Sequence, residues 1–280
     1  ARFSPDSARI VTASADGTAR LWDGRSGTVL ANCQGHQGPV LTAGFSPDGA
    51  RIVTTGKDKT ARLWDGRAGT PLGRVLEGHQ GEVSAAAFSP DGARVVTAST
   101  DGTARLWDGR AGTLLSTLQG HQGPVTATGF SPDGALIITA SKDRTARLWD
   151  GRSGTLLATL PGHTDEITAT AFSADGARIV TASKDQTARL WDGRSGALLL
   201  TLQGHQGPVT AAALSADGAR VVTTSTDRTA RLWDGRSGAL LSTLQGHASD
   251  LAAAEFSPDG ARIVTASKDK TARLWDGRAG

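Results

Sequence analysis

From Gly120 to Trp149 the chain reads GHQGPVTATGFSPDGALIITASKDRTARLW, with its apolar residues in short runs separated by turn-forming residues. Val125–Phe130 stops at Ser131-Pro132-Asp133-Gly134, where proline presets φ and glycine supplies a positive one, so the chain reverses tightly. Leu136–Ser141 is β-branched and apolar and reads as a second strand; Lys142-Asp143-Arg144 turns the chain again. Over Thr145–Asp150, Thr, Arg and Trp alternate with Ala and Leu, a period of two that predicts a third strand. Asp150-Gly151-Arg152-Ser153-Gly154 predicts a hairpin connection. Thr155–Leu160 then predicts a fourth strand, before Gly162-His163 restarts the pattern.

That pattern repeats. Trp-Asp recurs at Trp22, Trp64, Trp107, Trp149, Trp191, Trp233 and Trp275, and every tryptophan belongs to the series. The step is 42 residues except for one of 43, which lies between Trp64 and Trp107. A period of this size means one supersecondary unit whose copies bury their apolar faces on one another. Four antiparallel strands seven times over predict an all-β fold, a seven-bladed β-propeller forming one domain over 1–280. Phe3, Phe45, Phe88, Phe130, Phe172 and Phe256, with Leu214 once, end the first strands and are expected in the core. The chain opens at Ala1 inside a repeat and has no methionine, so it reads as a window of a longer polypeptide with incomplete first and last blades. The last blade, ending at Trp275-Asp276-Gly277-Arg278-Ala279-Gly280, is expected to lack its fourth strand, making the seam with the first blade the weakest.

With Gly-His, Ser-Pro-Asp-Gly and Thr-Ala-Arg-Leu-Trp-Asp in view, the chain resembles the WD-repeat β-propellers along its whole length. The resemblance implies a structural tetrad in each blade: a His, a strand Thr, a turn Asp and the Trp. The matching residues are His36-Thr54-Asp58-Trp64, His79-Thr97-Asp101-Trp107 and His121-Thr139-Asp143-Trp149. They continue as His163-Thr181-Asp185-Trp191, His205-Thr223-Asp227-Trp233 and His247-Thr265-Asp269-Trp275. The first blade departs from the pattern: it has Thr12, Asp16 and Trp22, but its histidine would precede Ala1. In a meander the loop entering strand one and the turn between strands two and three share an end. His and Asp, 22 residues apart, can therefore meet.

Repetition also narrows the chemistry. A Thr-His-Asp cluster suggests a hydrolase triad, but six equivalent copies point to scaffold, and no catalytic residue is expected. The histidines stand one per blade, none with a second His or Cys at ligand spacing, so neither metal nor cofactor is expected. Gly56-Lys57 lacks the earlier glycine of a phosphate loop; Arg51 holds that place. Thirty basic against 27 acidic residues give no strong electrostatic partner, and with the aromatics assigned to the core there is no stacking platform, so nucleic acid is not expected. No apolar stretch approaches a membrane span of about 18 residues. The single cysteine, Cys33, stands where a later repeat has Leu118, so it is expected to be buried; a disulfide within these residues is excluded and a reducing cytoplasm is the expected setting.

What varies between copies is the end carrying the tetrad loops, where WD-repeat families often bind partners. There Lys57, Lys142, Lys184 and Lys268 alternate with Glu82, Glu166 and Asp250, a mildly basic ring with acidic points. The functional expectation is a non-catalytic protein- or peptide-binding platform or sensor domain of a larger protein, preferring acidic partners. The alternative is a structural or idealised array with no selected ligand. Irregularities such as the extra residue after Trp64 and Leu136 in place of Arg weigh against design.

Overall fold

The computed structural model describes residues 1–278, which hold 27 strands and no helix. The expected end of the last blade at Ala279 and Gly280 lies outside the described residues. The strands form six four-stranded meanders and a last sheet of three, Leu251–Phe256, Arg262–Ser267 and Ala272–Asp276. This is the sheet set of a seven-bladed β-propeller. The first sheet opens with a two-residue strand, Arg2–Phe3.

Sheet five shows the common register. Ile167–Phe172 pairs antiparallel with Arg178–Ser183, which pairs with Ala188–Asp192, which pairs with Leu198–Leu202. Arg178 lies opposite Asp192, Ile179 opposite Trp191 and Thr181 opposite Arg189. The first pairing carries a bulge at Thr168, and the last skips a residue beside Trp191. In sheet two the extra residue of the 43-residue period enters the fourth strand: Leu63 pairs with Arg74 but Trp64 with Pro71, and Gly73 takes φ +66 between them. An edge strand absorbs an insertion most cheaply, because only one side of its ladder is interrupted.

The chain divides into two compact units, Ala1–Thr139 with Trp149–Leu156, and Ala140–Leu148 with the chain from Leu157 onward. In the first unit Trp64 packs on Val11, Ala19, Leu21 and Cys33 of the preceding sheet, and Trp107 on Val53, Ala61, Leu63 and Leu76. Trp149 does the same on Val96, Ala104, Leu106 and Leu118. In the second unit Trp233 covers Val180, Ala182, Leu190 and Leu202. Each of these four tryptophans thus seals the face of the sheet before it. An indole burying roughly 150–250 Å² is worth about 4–6 kcal/mol of transfer free energy at each contact. Leu232, covered by the last sheet, is fully buried, whereas its counterpart Leu274 in that sheet is 62 % exposed.

The phenylalanines differ from expectation. Phe3 is exposed, and Phe45, Phe88, Phe130, Phe172 and Phe256 are half-buried. They sit at strand ends beside the Ser-Pro-Asp-Gly turns, or the Ser-Pro-Asp-Ser turn after Phe3 and the Ser-Ala-Asp-Gly turn after Phe172, where a sheet cannot cover both sides of a ring. Cys33 is buried, and desolvation pushes its thiol up to about 11.

Candidate functional site

At one end of sheet five, four side chains form a directed chain of hydrogen bonds. Trp191 Nε1 donates to Thr181 Oγ1 (2.9 Å), which lies 2.8 Å from His163 Nε2, while His163 Nδ1 lies 2.8 Å from Asp185 Oδ2. An indole only donates and an ionised carboxylate only accepts. The proton order is therefore fixed: Thr181 donates to Nε2, and Nδ1–H donates to Asp185. Asp185 also accepts the Thr164 N–H, which holds the loop entering strand one, and the N–H and hydroxyl of Thr187. Burial pushes the imidazoles of His36, His79, His163 and His205 below their ordinary range, against the raising pull of each aspartate. Burial also opposes ionisation of Asp101 and Asp227, but their hydroxyl, backbone N–H and imidazole donors outweigh it and hold each carboxyl at about 2.

The same constellation joins His36, Thr54, Asp58 and Trp64, and likewise His79, Thr97, Asp101 and Trp107. It recurs at His205, Thr223, Asp227 and Trp233, and at His247, Thr265, Asp269 and Trp275. In sheet four Thr139 joins His121 (2.8 Å) to Trp149 (2.9 Å), and Asp143 binds the N–H and hydroxyl of Thr145. In sheet one Trp22 donates to Thr12, and Arg20 occupies Asp16 at 2.7 Å. Gly162, just before its histidine, shows why glycine recurs there: its φ is +128, and a Cβ would overlap Arg189 Nη1.

The variable charges share this end because backbone bonds tie its loops together. Lys184 N–H donates to the Glu166 carbonyl, Lys268 N–H to that of Asp250 and Thr100 N–H to that of Glu82. All seven charged candidates consequently pair with one another. Lys184 Nζ lies 2.7 Å and Lys142 Nζ 3.6 Å from Glu166 Oε2; Lys268 reaches Asp250 at 3.0 Å and Lys57 reaches Glu82 at 3.5 Å. The lysines are 44–68 % exposed, so each pair contributes about 0–1 kcal/mol and opens readily. The Lys184 ammonium bonded to Glu166 lowers that carboxyl, and Glu166 in turn raises Lys184. At the opposite end the turns are alike: Asp65, Asp108, Asp150, Asp192 and Asp234 each accept the two backbone N–H groups that follow their Asp-Gly.

Seven matches to one family, WD domain, G-beta repeat, cover residues 1–23, 27–65, 70–108, 112–150, 154–192, 196–234 and 238–276. The chain belongs to the WD-repeat family. No curated protein matches it. WD repeats generally mediate protein–protein interaction or scaffolding. Their tetrad here has the connectivity of a hydrolase triad, hydroxyl to imidazole to carboxylate. Yet Thr54, Thr97, Thr139, Thr181, Thr223 and Thr265 are wholly buried, and each hydroxyl already accepts an indole N–H. A substrate carbonyl cannot reach these oxygens. Among the described residues no three or more His, Cys, Asp or Glu side chains converge as metal ligands would.

Two further sets of side chains build the WD-repeat sheets into units, a role that sequence reasoning assigned to neither. Arginines opening the second strands reach into the next sheet: Arg51 Nη1 donates to Gly109 O (2.7 Å) and lies over Phe88, and Arg178 donates to Gly218 O and Gly235 O. Arg9 and Arg220 likewise lie over Phe45 and Phe256. Their recurrence about 36 residues before a Phe was the available signal. Arg105, on a third strand, turns instead to its own sheet: it donates to Gly78 O and lies over Trp107. The second set is the bulge hydroxyl five residues after the tetrad His. Ser84 donates to Val125 O, Thr168 to Val209 O and Thr210 to Leu251 O, each at 2.7 Å. A bulge re-aims its side chain out of the alternating pattern. Those hydroxyls, on the variable end, are therefore committed to the neighbouring sheet.

Proposed function

We propose that this chain is a non-catalytic platform that holds a protein or peptide on the end carrying the tetrad loops. The carrying observation is the set of exposed, weakly held ion pairs there, Lys57–Glu82, Lys142–Glu166–Lys184 and Lys268–Asp250. They differ from sheet to sheet, whereas the turns at the other end repeat one pattern and cannot distinguish orientations of a partner. Rigid tetrads behind the variable loops limit the ordering cost of binding. An acidic partner segment would exchange the lysines from Glu82, Glu166 and Asp250 at little net cost.

The test is charge reversal. Lys142→Glu with Lys184→Glu should weaken a captured partner and reduce the salt dependence of its binding, while Arg152→Glu with Arg194→Glu on the opposite turns should leave both unchanged. A partner indifferent to the lysine pair, or lost on reversing the arginines, would overturn the proposal in favour of the other end. An array that captures nothing would favour a purely structural role.

A further inference from the structure

The residue following the tetrad aspartate has a left-handed backbone in all seven sheets. It is Gly17 (φ 86), Lys59 (φ 67), Gly102 (φ 83), Arg144 (φ 71), Gln186 (φ 70), Arg228 (φ 70) and Lys270 (φ 70). Glycine adopts this conformation freely, while a residue with a Cβ is strained there. Sheets one and three use glycine. Asn and Asp, the side chains that tolerate the region best, occur in none. Five sheets instead carry a long polar chain, and in four of the five it is a cation.

These cations stand apart from the lysines two residues earlier. Lys142, Lys184 and Lys268 are compensated by Glu166 and Asp250. Lys59, Arg144, Arg228 and Lys270 are exposed, and among the described residues none has an ion pair or a side-chain hydrogen bond. Apart from the one charge in excess where Lys142 and Lys184 share Glu166, the unpaired cations among these residues therefore lie at the left-handed positions. The second unit holds three of them, Arg144, Arg228 and Lys270, each beside a tetrad aspartate that fixes its turn through the N–H and hydroxyl of the next threonine. Backbone need alone would select glycine, so the side chains themselves carry the reason for their presence.

We infer that Arg144, Arg228 and Lys270 are the recognition set of the second unit for an acidic peptide segment, with Lys59 repeating the position in the first. Guanidinium forks take carboxylates in two parallel hydrogen bonds. Each of the seven tryptophans is tied to a tetrad threonine, leaving no indole at this end for bases to stack on, which favours a peptide over single-stranded nucleic acid. The inference rests on the proposed binding end and names the residues and partner chemistry within it.

The turn supplies its own control, because glycine already serves it in sheets one and three. The triple variant Arg144→Gly, Arg228→Gly, Lys270→Gly should fold and melt no lower than the parent. Its affinity for a fluorescein-labelled glutamate-rich peptide should fall about tenfold or more, as expected for three exposed charges acting together. Arg152→Gln, Arg194→Gln, Arg236→Gln removes the same charge from the opposite turns and should leave affinity unchanged. Equal binding by parent and glycine variant, equal loss in both variants, or no binding by the parent would overturn the inference. So would a single-stranded oligonucleotide that binds more tightly than the peptide. If the glycine variant binds normally while Lys142→Glu with Lys184→Glu does not, this inference fails and the binding end stands; if both bind normally, the end itself is wrong.

Discussion

Replacing Thr181 with valine isolates what the tetrad contributes. The two side chains are nearly isosteric, and Thr181 is fully buried, so no cavity opens and backbone register is retained. Two polar groups lose their only side-chain link: the Trp191 indole N–H, now 2.9 Å from the hydroxyl, and His163 Nε2, now 2.8 Å from it. His163 is 5 % and Trp191 1 % exposed, so water does not replace the lost partner. Each orphaned group costs about 1–3 kcal/mol. The added methyl returns about 0.8 kcal/mol, leaving a net loss of about 1–5 kcal/mol. Thr181→Ser keeps the hydroxyl and deletes a methyl, for about 1 kcal/mol. The assay is urea unfolding with midpoint and slope both recorded, because a repeat protein can lose two-state behaviour and the slope reveals it. Valine should be the worse of the two. Adding His163→Leu to Thr181→Val removes one orphan, so the double variant should be less destabilised than the sum by about 1–2 kcal/mol. A valine variant as stable as the serine variant, or strict additivity with His163→Leu, would refute the tetrad as a stabilising network.

Acid should weaken the fold in two stages with the same sign. The folded pKa values of His36, His79, His163 and His205 lie below the unfolded value of about 6.5, so the unfolded chain binds more protons and stability falls as pH drops through 6.5. Asp101 and Asp227, held at about 2, add a second loss as pH falls from the ordinary carboxylate value of about 3.9 towards 2. A urea midpoint flat from pH 7.5 to pH 5 would contradict the buried neutral imidazoles. Arg178→Met retains much of the side chain's apolar stem and removes the guanidinium that bonds Gly218 O and Gly235 O. It should cost about 1–3 kcal/mol and speed amide exchange in sheets five and six before the others. Uniform exchange in the variant would show that these bonds do not hold the sheets together.

Much of this protein is written locally. Ser-Pro-Asp-Gly and Asp-Gly turns set φ by their own covalent structure, and the alternation of Ala and Leu with Thr, Arg and Trp sets which side chains share a face. Strand order, the recurring register and the identity of the tetrad residues follow from those rules, because His and Asp 22 residues apart come together within one meander. What the sequence could not assign is which of several equivalent partners a long side chain selects. Lys142 and Lys184 converge on one glutamate, while Lys57 reaches forward to Glu82 because Thr100 leaves it unclaimed. Arg51 reaches 58 residues ahead to a carbonyl that no local pattern marks. Burial too is decided between sheets: Leu232 and Leu274 occupy the same place in the same motif, yet one is sealed and the other 62 % exposed. The left-handed turns at Arg228 and Lys270, by contrast, are held locally, by the bonds of the adjacent aspartate to the threonine two residues on; only that aspartate's bond to His205 or His247, 22 residues away, is decided by tertiary structure.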